Sequence, residues 1–325
     1  MSDKLTVSFS PHIRDRATTS SIMLDVVIAL IPAFVASVLI FGPRAALVTL
    51  FCVAACVGFE GCYQKILKKP STIHDYTAVI TGLLLAFNLP VTIPLWQAMF
   101  GCFIAIVLVK QLYGGLGKNF ANPAIAARVV MFLAFSSTMT AWHLPENTPA
   151  WVLLTDTMAS DTLAGPTPLA YLARGEMENL PSVWNMFVGV RNGTIGETSA
   201  LALALGGAYL LIRRVITWQI PVTFMGTVAL LALLSSRFSV DYMLYHTLAG
   251  GLVLGALFMA TDYVTSPQTI KGRIVFGVGC GFLTVVIRFF GSYPEGVSFA
   301  ILFMNMLVPF INKMTLTKPL GGKTA

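Results

Sequence analysis

The residues of this chain best suited to chemistry are few, and one hydroxyl leads them. In the string Asp161-Thr162-Leu163-Ala164-Gly165-Pro166-Thr167-Pro168-Leu169, Thr167 stands two positions after a glycine and between two prolines. Such a turn holds its hydroxyl on stiff backbone. The expectation is therefore an accessible Thr167 suited to covalent modification, with an ordinary Gly/Pro turn as the plain alternative. Three carboxylates, Asp25, Glu60 and Asp262, fall inside or at the edge of long apolar runs. A carboxylate is costly there and by default marks an ion path, a buried partner or a water-filled cavity. Asp262 and Asp25 are the ion-coupling candidates. Asp25 and Glu60 also lie close enough to the ends of their runs for snorkelling to explain them equally well.

Other reactive types are scattered. His12, His74, His143 and His246 belong to different segments, and the five cysteines all lie in or beside apolar runs. Cys52 and Cys56, spaced i, i+4, share a helix face, which permits soft-metal ligation but equally suits small apolar packing. No disulfide is expected from such positions. The chain lacks a Walker loop, a strand–GxGxxG–helix fingerprint, GxSxG and HExxH, so no catalytic residue and no metal site is assigned.

The elements that must position these residues are membrane helices. Hydrophobic residues make up 56% of the 325, charged residues only 11%, and mean hydropathy is +0.78; a soluble domain carries roughly 25% charged residues. Apolar runs bounded by breakers give ten candidate spans, five over 22–41, 44–63, 76–89, 94–113 and 123–139, and five over 195–211, 218–235, 243–261, 273–290 and 297–312. A span takes about 20 helical residues, so the third is short. The expected organisation is a cytoplasmic segment (1–21), a first five-helix repeat (22–141), an outer loop (142–194), a second repeat (195–312) and a cytoplasmic tail (313–325).

Charge supports that topology. With the N-terminus inside, only Arg44, Arg174, Arg191, Arg237 and Arg288 of the 21 Lys and Arg fall outside, among them neither Lys110 nor Arg128; the basic excess of inner loops is what orients such proteins. The net charge of +7 is spread between apolar runs rather than gathered on one face, and no nucleic-acid motif accompanies it, so a nucleic-acid partner is excluded.

An inverted duplication is expected from repeated breakers. Pro43 and Pro221 precede a span 178 positions apart; Pro90 and Pro267 follow the third span of each half, 177 apart; Gly114 and Gly291 are also 177 apart. The segments 87–94 and 261–269 are then broken helix ends, one toward each side. Irregular backbone at membrane depth is tolerated only where protein buries it or a cavity adjoins it, so these are the expected binding places, with plain polar turns as the alternative.

The string ending in Thr167 resembles the flavin-attachment motif Asp-x-x-[Ser/Thr]-Gly-Ala-Thr of bacterial electron-transport complexes. Asp161, Gly165 and Thr167 match it, whereas Ala164 and Pro166 depart from it. Gly114-Gly115-Leu116-Gly117-Lys118-Asn119-Phe120-Ala121-Asn122-Pro123-Ala124, Tyr293-Pro294-Glu295-Gly296-Val297-Ser298-Phe299-Ala300 and Ser8-Phe9-Ser10-Pro11-His12 extend the similarity along the chain. It is similar to the RnfD family of Rnf-complex membrane proteins and, more distantly, to the homologous NqrB proteins of the sodium-pumping NADH:quinone reductase.

The resemblance implies a membrane subunit of a redox-driven pump that links ferredoxin and NAD to Na+ or H+ movement. That subunit belongs to an inner-membrane complex with subunits A, B, C, E and G and is catalytic only as part of it. It implies FMN joined to Thr167 through a phosphoester by a flavin transferase, with Asp161, Gly165 and Pro168 beside it. Arg174 and Arg191 are the expected phosphate partners. A second, non-covalent flavin (riboflavin) is implied toward the cytoplasmic side, expected around Thr261, Asp262 and Pro267, with Asn88 at the opposite break. The competing reading is an inverted-repeat solute channel or permease without a redox role.

Overall fold

The computed structural model describes residues 18–142, 166–189, 191–197, 199–236, 238–291 and 295–316, and these are helical and irregular, with no strand among them. The N-terminal signature at 8–12, the motif residues Asp161 and Gly165, the rest of 143–165 in the outer loop and 317–325 of the tail lie outside the described residues.

In the first half α1 (Thr19–Phe41) and α2 (Pro43–Ile66) are long and apolar, followed by α3 (Thr77–Phe87), α4 (Leu95–Gln111) and α5 (Pro123–Ala134). In the second half come α6 (Ala200–Ile212), α7 (Gln219–Ser235), α8 (Val240–Leu248), α9 (Leu252–Met259), α10 (Ile270–Phe290) and α11 (Val297–Thr315). By length and apolar composition α1, α2, α10 and α11 each suffice to cross a membrane, and α8 with α9, bent by 64°, suffice only when taken together. The side chains turned outward are those of a lipid-facing surface: Leu39, Ile212, Phe290 and Met314 are each at least 80% exposed. A soluble monomer does not tolerate apolar exposure on that scale. The chain is a multi-pass membrane protein.

Where Gly or Pro punctuates, the ends fall where the sequence places them. Pro43 opens α2 directly after Gly42, and Pro123 opens α5 behind Asn122, whose side chain accepts from the amides of Ala124 and Ile125. Proline at the first helical position sacrifices only an amide that has no partner there anyway. Three expected spans are corrected. Residues 195–197 and 199 are not helical, and α6 begins at Ala200. Span 123–139 breaks after Ala134 into a separate turn, Ser136–Met139. The eighth span is broken in its middle at 249–251, where the apolar run alone predicts continuous helix.

Helix packing depends on small residues, since lipid supplies no hydrophobic drive between helices. The α1–α6 contact runs through Gly206, where an added Cβ would collide with the carbonyl oxygen of Ala29. α2 packs on α3 and α4, α7 on α10, and α11 on both α10 and α5. The end of α4 (Ile104–Gln111) and most of α9 (Gly255–Met259) wind as π-helix, a geometry that tends to mark functional positions.

Candidate functional site

Irregular backbone collects at three places, and polar side chains gather around each. After α3, residues 88–91 and 93 are buried. They are joined from the other half by Ile195 and Gly196, whose amides donate to the carbonyls of Leu89 and Phe87 at 3.0 and 2.9 Å. Residues 191–197 are all buried as well. Two irregular stretches of chain thus satisfy one another inside the protein, as a non-helical segment in a membrane must.

Arg128 of α5 locks this region. One terminal nitrogen donates to Asn88 Oδ1 (2.6 Å) and Ser298 Oγ (3.0 Å), the other to Glu197 Oε1 (3.3 Å) and to Glu295 Oε2. A planar guanidinium can serve several acceptors at once, which a lysine cannot. Asn88 in turn donates to Leu84 O at 2.6 Å. Arg128, which the sequence places among the loop charges, is therefore an internal residue.

The break between α8 and α9 is managed by the same cluster. Helix ends leave carbonyls without intrahelical partners, and two arginines take those of α8. Arg288 donates to His246 O (2.5 Å) and Ala249 O (3.1 Å), and Arg191 donates to Leu248 O (2.6 Å) as well as to Glu197 O. Positive charge is also what the negative end of a helix dipole favours. At the start of α9 stands Gly251, where a Cβ would lie 2.7 Å from Glu197 Oε1 and 3.5 Å from Arg128 Nη1. Glycine is required there for the carboxylate to approach. Arg191, expected as a phosphate partner, has its terminal donors directed to these carbonyls instead.

Thr167 lies at the edge of this region. It is buried, at 6% exposure, and N-caps the short helix Pro168–Arg174, its hydroxyl oxygen accepting from Ala170 N at 3.2 Å. The expected accessible hydroxyl is corrected: Leu169 and Leu172 draw the helix against Ala249 and Met186 in a small apolar cluster, and Thr167 follows it inward. Pro168 opens that helix and Arg174 closes it, exposed. Against the helix lies a cavity lined by Leu169, Leu172, Tyr242, His246, Arg288 and Phe289. His246 stacks near Tyr242 and Phe289, with centroids 4.5 and 5.4 Å away. His246 Nε2 and Arg288 Nε are buried without a hydrogen-bond partner. Such orphaned groups call for an unseen polar ligand or water.

The third irregular place follows α9. Thr261, Asp262, Tyr263 and Val264 line a cleft that α3 and α4 complete with Thr77, Thr81 and Lys110, and the 114–123 turn with Asn119 and Asn122. Asp262 accepts from Thr265 Oγ (3.1 Å) and Val264 N (3.4 Å), Thr261 donates to Leu257 O (2.7 Å), and Asn119 Oδ1 is buried without a partner. The structure thus brings Thr261 and Asp262 to one cleft and sets Asn88 apart, inside the Arg128 cluster.

Two of the sequence-selected carboxylates differ sharply. Asp25 is paired at the rim of α1 with Tyr209 (2.8 Å) and the exposed Arg213 (3.1 Å). Glu60 does not snorkel: at 0% exposure it meets Lys110 Nζ at 2.6 Å. Arg128, Glu197, Glu295 and Lys110 are not singled out by the sequence, although a charged residue inside or beside an apolar run is the available signal for each. Among the described residues no group of three or more His, Cys, Asp or Glu is placed to hold a metal ion.

The chain matches known proteins along nearly its whole length. Residues 6–321 match the model of the NQR2, RnfD, RnfE family. The chain is 45% identical over 313 residues to the D subunit of the Na(+)-translocating ferredoxin:NAD(+) oxidoreductase complex of Acetobacterium woodii, covering 96% of this chain and 93% of that protein. It is 42% identical over 322 residues to the proton-translocating counterpart of Clostridium ljungdahlii, covering 95% and 94%. It is 38% identical over 333 residues to the D subunit of the ion-translocating oxidoreductase complex of Stutzerimonas stutzeri, covering 94% and 93%. This chain belongs to the NQR2, RnfD, RnfE family.

Proposed function

We propose that this chain is the RnfD membrane subunit of an Rnf-type ferredoxin:NAD+ oxidoreductase, in which electron flow drives Na+ or H+ across the bacterial inner membrane. The observation that carries the reading is the full-length match to relatives that are named for that activity. Its partners are the other subunits of the complex, A, B, C, E and G, and a flavin transferase matures it. Both termini face the cytoplasm. Lys110 and Arg128 lie inside the protein, and of the five outer arginines Arg44, Arg191 and Arg288 are buried too, so among the described residues the exposed basic ones are still more one-sided than the raw count.

The ten spans form two inverted five-helix repeats, with α8 and α9 as one broken span. Side-chain pairings support this. Arg128 binds Asn88, and 177 positions later Asn305, with its amide oriented to donate to Thr265 O at 3.1 Å, makes the corresponding link between the last helix of its half and the broken end before it.

FMN is carried on Thr167. The cavity beside its helix fits that group: aromatic walls from Tyr242, His246 and Phe289, and unpartnered nitrogens of Arg288 and His246 to meet polar atoms. A second flavin, riboflavin, occupies the inner cleft, where Asn119 Oδ1 and Asp262 offer acceptors, Lys110 a donor, and apolar side chains a ring-sized wall. Flavin supplies one- and two-electron redox chemistry; the protein's part is to position the ring, exclude water and set the surrounding charge.

The test is intact mass and in-gel flavin fluorescence of the denatured protein, coexpressed with a flavin transferase, beside Thr167→Ala. Fluorescence with an FMN-sized increment in the parent and neither in the variant is expected. An unmodified parent would mean that Ala164 and Pro166 have disabled the motif, and the covalent flavin would be withdrawn.

A further inference from the structure

A hydrogen-bonded chain connects the inner cleft to the loop between α2 and α3. Thr72, part-exposed in that loop, donates from Oγ to Glu60 Oε1 at 2.8 Å, and its amide donates to Gln64 Oε1 at 3.1 Å. Gln64 Nε2 donates to Thr72 Oγ at 2.6 Å and to Glu60 Oε1 at 3.3 Å. The other carboxylate oxygen of Glu60 meets Lys110 Nζ, which also donates to Thr77 Oγ at 2.7 Å. Lys110 and Thr77 both line the cleft. Glu60 and Lys110 are 0% and 3% exposed, so neither charge is held by bulk water.

We infer that Glu60 and Lys110 form a charge-compensating pair that binds one monovalent cation from the α2–α3 loop when an electron reaches the group in the inner cleft. The inference rests on the proposed redox centre in that cleft. With that centre neutral, the carboxylate and the ammonium balance each other. The complex's own electron transfer adds one negative charge to the cleft. Lys110, a flexible point charge on a four-carbon stem, swings from Glu60 toward it, and the freed Glu60 carboxylate takes up H+ or Na+ by way of Thr72. Electron and cation arrive one for one, so net charge is unchanged. When the electron leaves, Lys110 returns to Glu60 and displaces the cation.

Three features of the structure favour this pair over a static ion pair. Lys110 sits in the π-wound end of α4, a geometry that is rare and recurs at functional sites. A permanently paired buried lysine has no reason to border a cleft that also contains an unpartnered Asn119 Oδ1. The two hydroxyls that flank the pair lead in opposite directions, Thr72 to the loop and Thr77 to the cleft. Other titratable groups around it are Cys56 one turn earlier on α2, Asp262 across the cleft, and His74 and Asp75 on the turn Ile73–Asp75 packed against α2.

The experiment is a spectroscopic redox titration of the non-covalent flavin in the purified complex, first in varied NaCl at fixed pH, then in varied pH at fixed sodium. In the parent complex the midpoint potential is expected to move by about 59 mV per tenfold change in one of the two cations, the slope for one cation per electron. The responsive series tells Na+ from H+. In Glu60→Gln the slope disappears while the flavin stays bound; in the charge-neutral pair Glu60→Gln with Lys110→Gln it is also absent, which guards against misfolding of the single variant. A bound flavin whose slope is unchanged in both variants overturns the inference and leaves the redox reading standing. A parent complex with no flavin other than covalent FMN overturns the inner redox centre, and the inference with it.

Discussion

The outer and inner polar clusters of this protein use the same residue types to opposite ends. Around Arg128 the charges knit irregular backbone together: every terminal donor of that guanidinium has an acceptor, Arg191 and Arg288 take the free carbonyls of α8, and Glu197 faces the start of α9. Around Glu60 a single carboxylate on α2 meets a single ammonium in the π-wound end of α4, next to a cleft and a loop. Buried ion pairs gain little net stability because desolvation cancels most of their attraction, whereas losing one partner is expensive. The outer cluster escapes that balance by replacing missing backbone partners, and so holds the fold. The inner pair replaces none, which leaves it available for chemistry.

The largest effect that would break this contrast is at Arg128. Arg128→Ala strands the buried Glu197 and the half-buried Glu295 and unties Asn88 and Ser298 together; removal of one partner from a buried pair costs about 3–5 kcal/mol. The variant is expected not to accumulate in the membrane fraction, measured by immunoblot, and Arg128→Lys to rescue it only in part. Normal accumulation of Arg128→Ala would show the cluster to be dispensable for folding. Next comes the inner pair, where Glu60→Gln or Lys110→Gln alone strands one buried charge and the double variant strands none. A thermal-stability double-mutant cycle in detergent should give a favourable coupling of about 1–3 kcal/mol, with the double variant the more stable of the three. Additive losses would mean that the two charges do not sense each other.

Gly251→Ala should cost less, about 1–3 kcal/mol as for other overpacked sites. Its new methyl meets a side-chain carboxylate that can shift, 2.7 Å away, rather than rigid backbone. A melting temperature equal to the parent's would show that Glu197 need not approach the start of α9.

How much of this is legible in the sequence depends on whether the signal is local. Pro43, Pro123 and the limits of the long apolar runs α1, α2, α10 and α11 are local, and the helices start and stop there within a few residues. Residues 195–199 fall in the sixth expected span because Ile195 stands just ahead of the apolar run that starts at Ala200, yet Ile195 and Gly196 bond instead to the end of α3. The break at 249–251 has three small residues, Ala249, Gly250 and Gly251, but nothing in the local pattern reveals that Arg191 and Arg288 arrive from elsewhere to take the carbonyls. Asn88 stands out in the sequence for its place at a break, which is right, but its bonds to Arg128 and Leu84 leave it little capacity to hold the ligand expected there. Glu60 can be seen as a costly carboxylate; its partner Lys110, 50 positions away, looks like a loop charge because it ends an apolar run.

The smallest effect belongs to Asp25, which the sequence offers with Asp262 as an ion-coupling candidate. Its partners are Tyr209 and an Arg213 that is 57% exposed, at the end of α6. Water screens such a pair, and exposed pairs often contribute nothing measurable. Asp25→Asn is therefore expected to leave both the melting temperature and the cation dependence of the flavin potential at parental values, in the same titration in which Glu60→Gln abolishes the slope. The two substitutions make the same chemical change near the ends of neighbouring apolar helices, so they differ only in burial and partner. If Asp25→Asn removed the slope and Glu60→Gln did not, the cation would enter between α1 and α6, and the contrast between a holding cluster and a working pair would have to be redrawn around Tyr209 and Arg213.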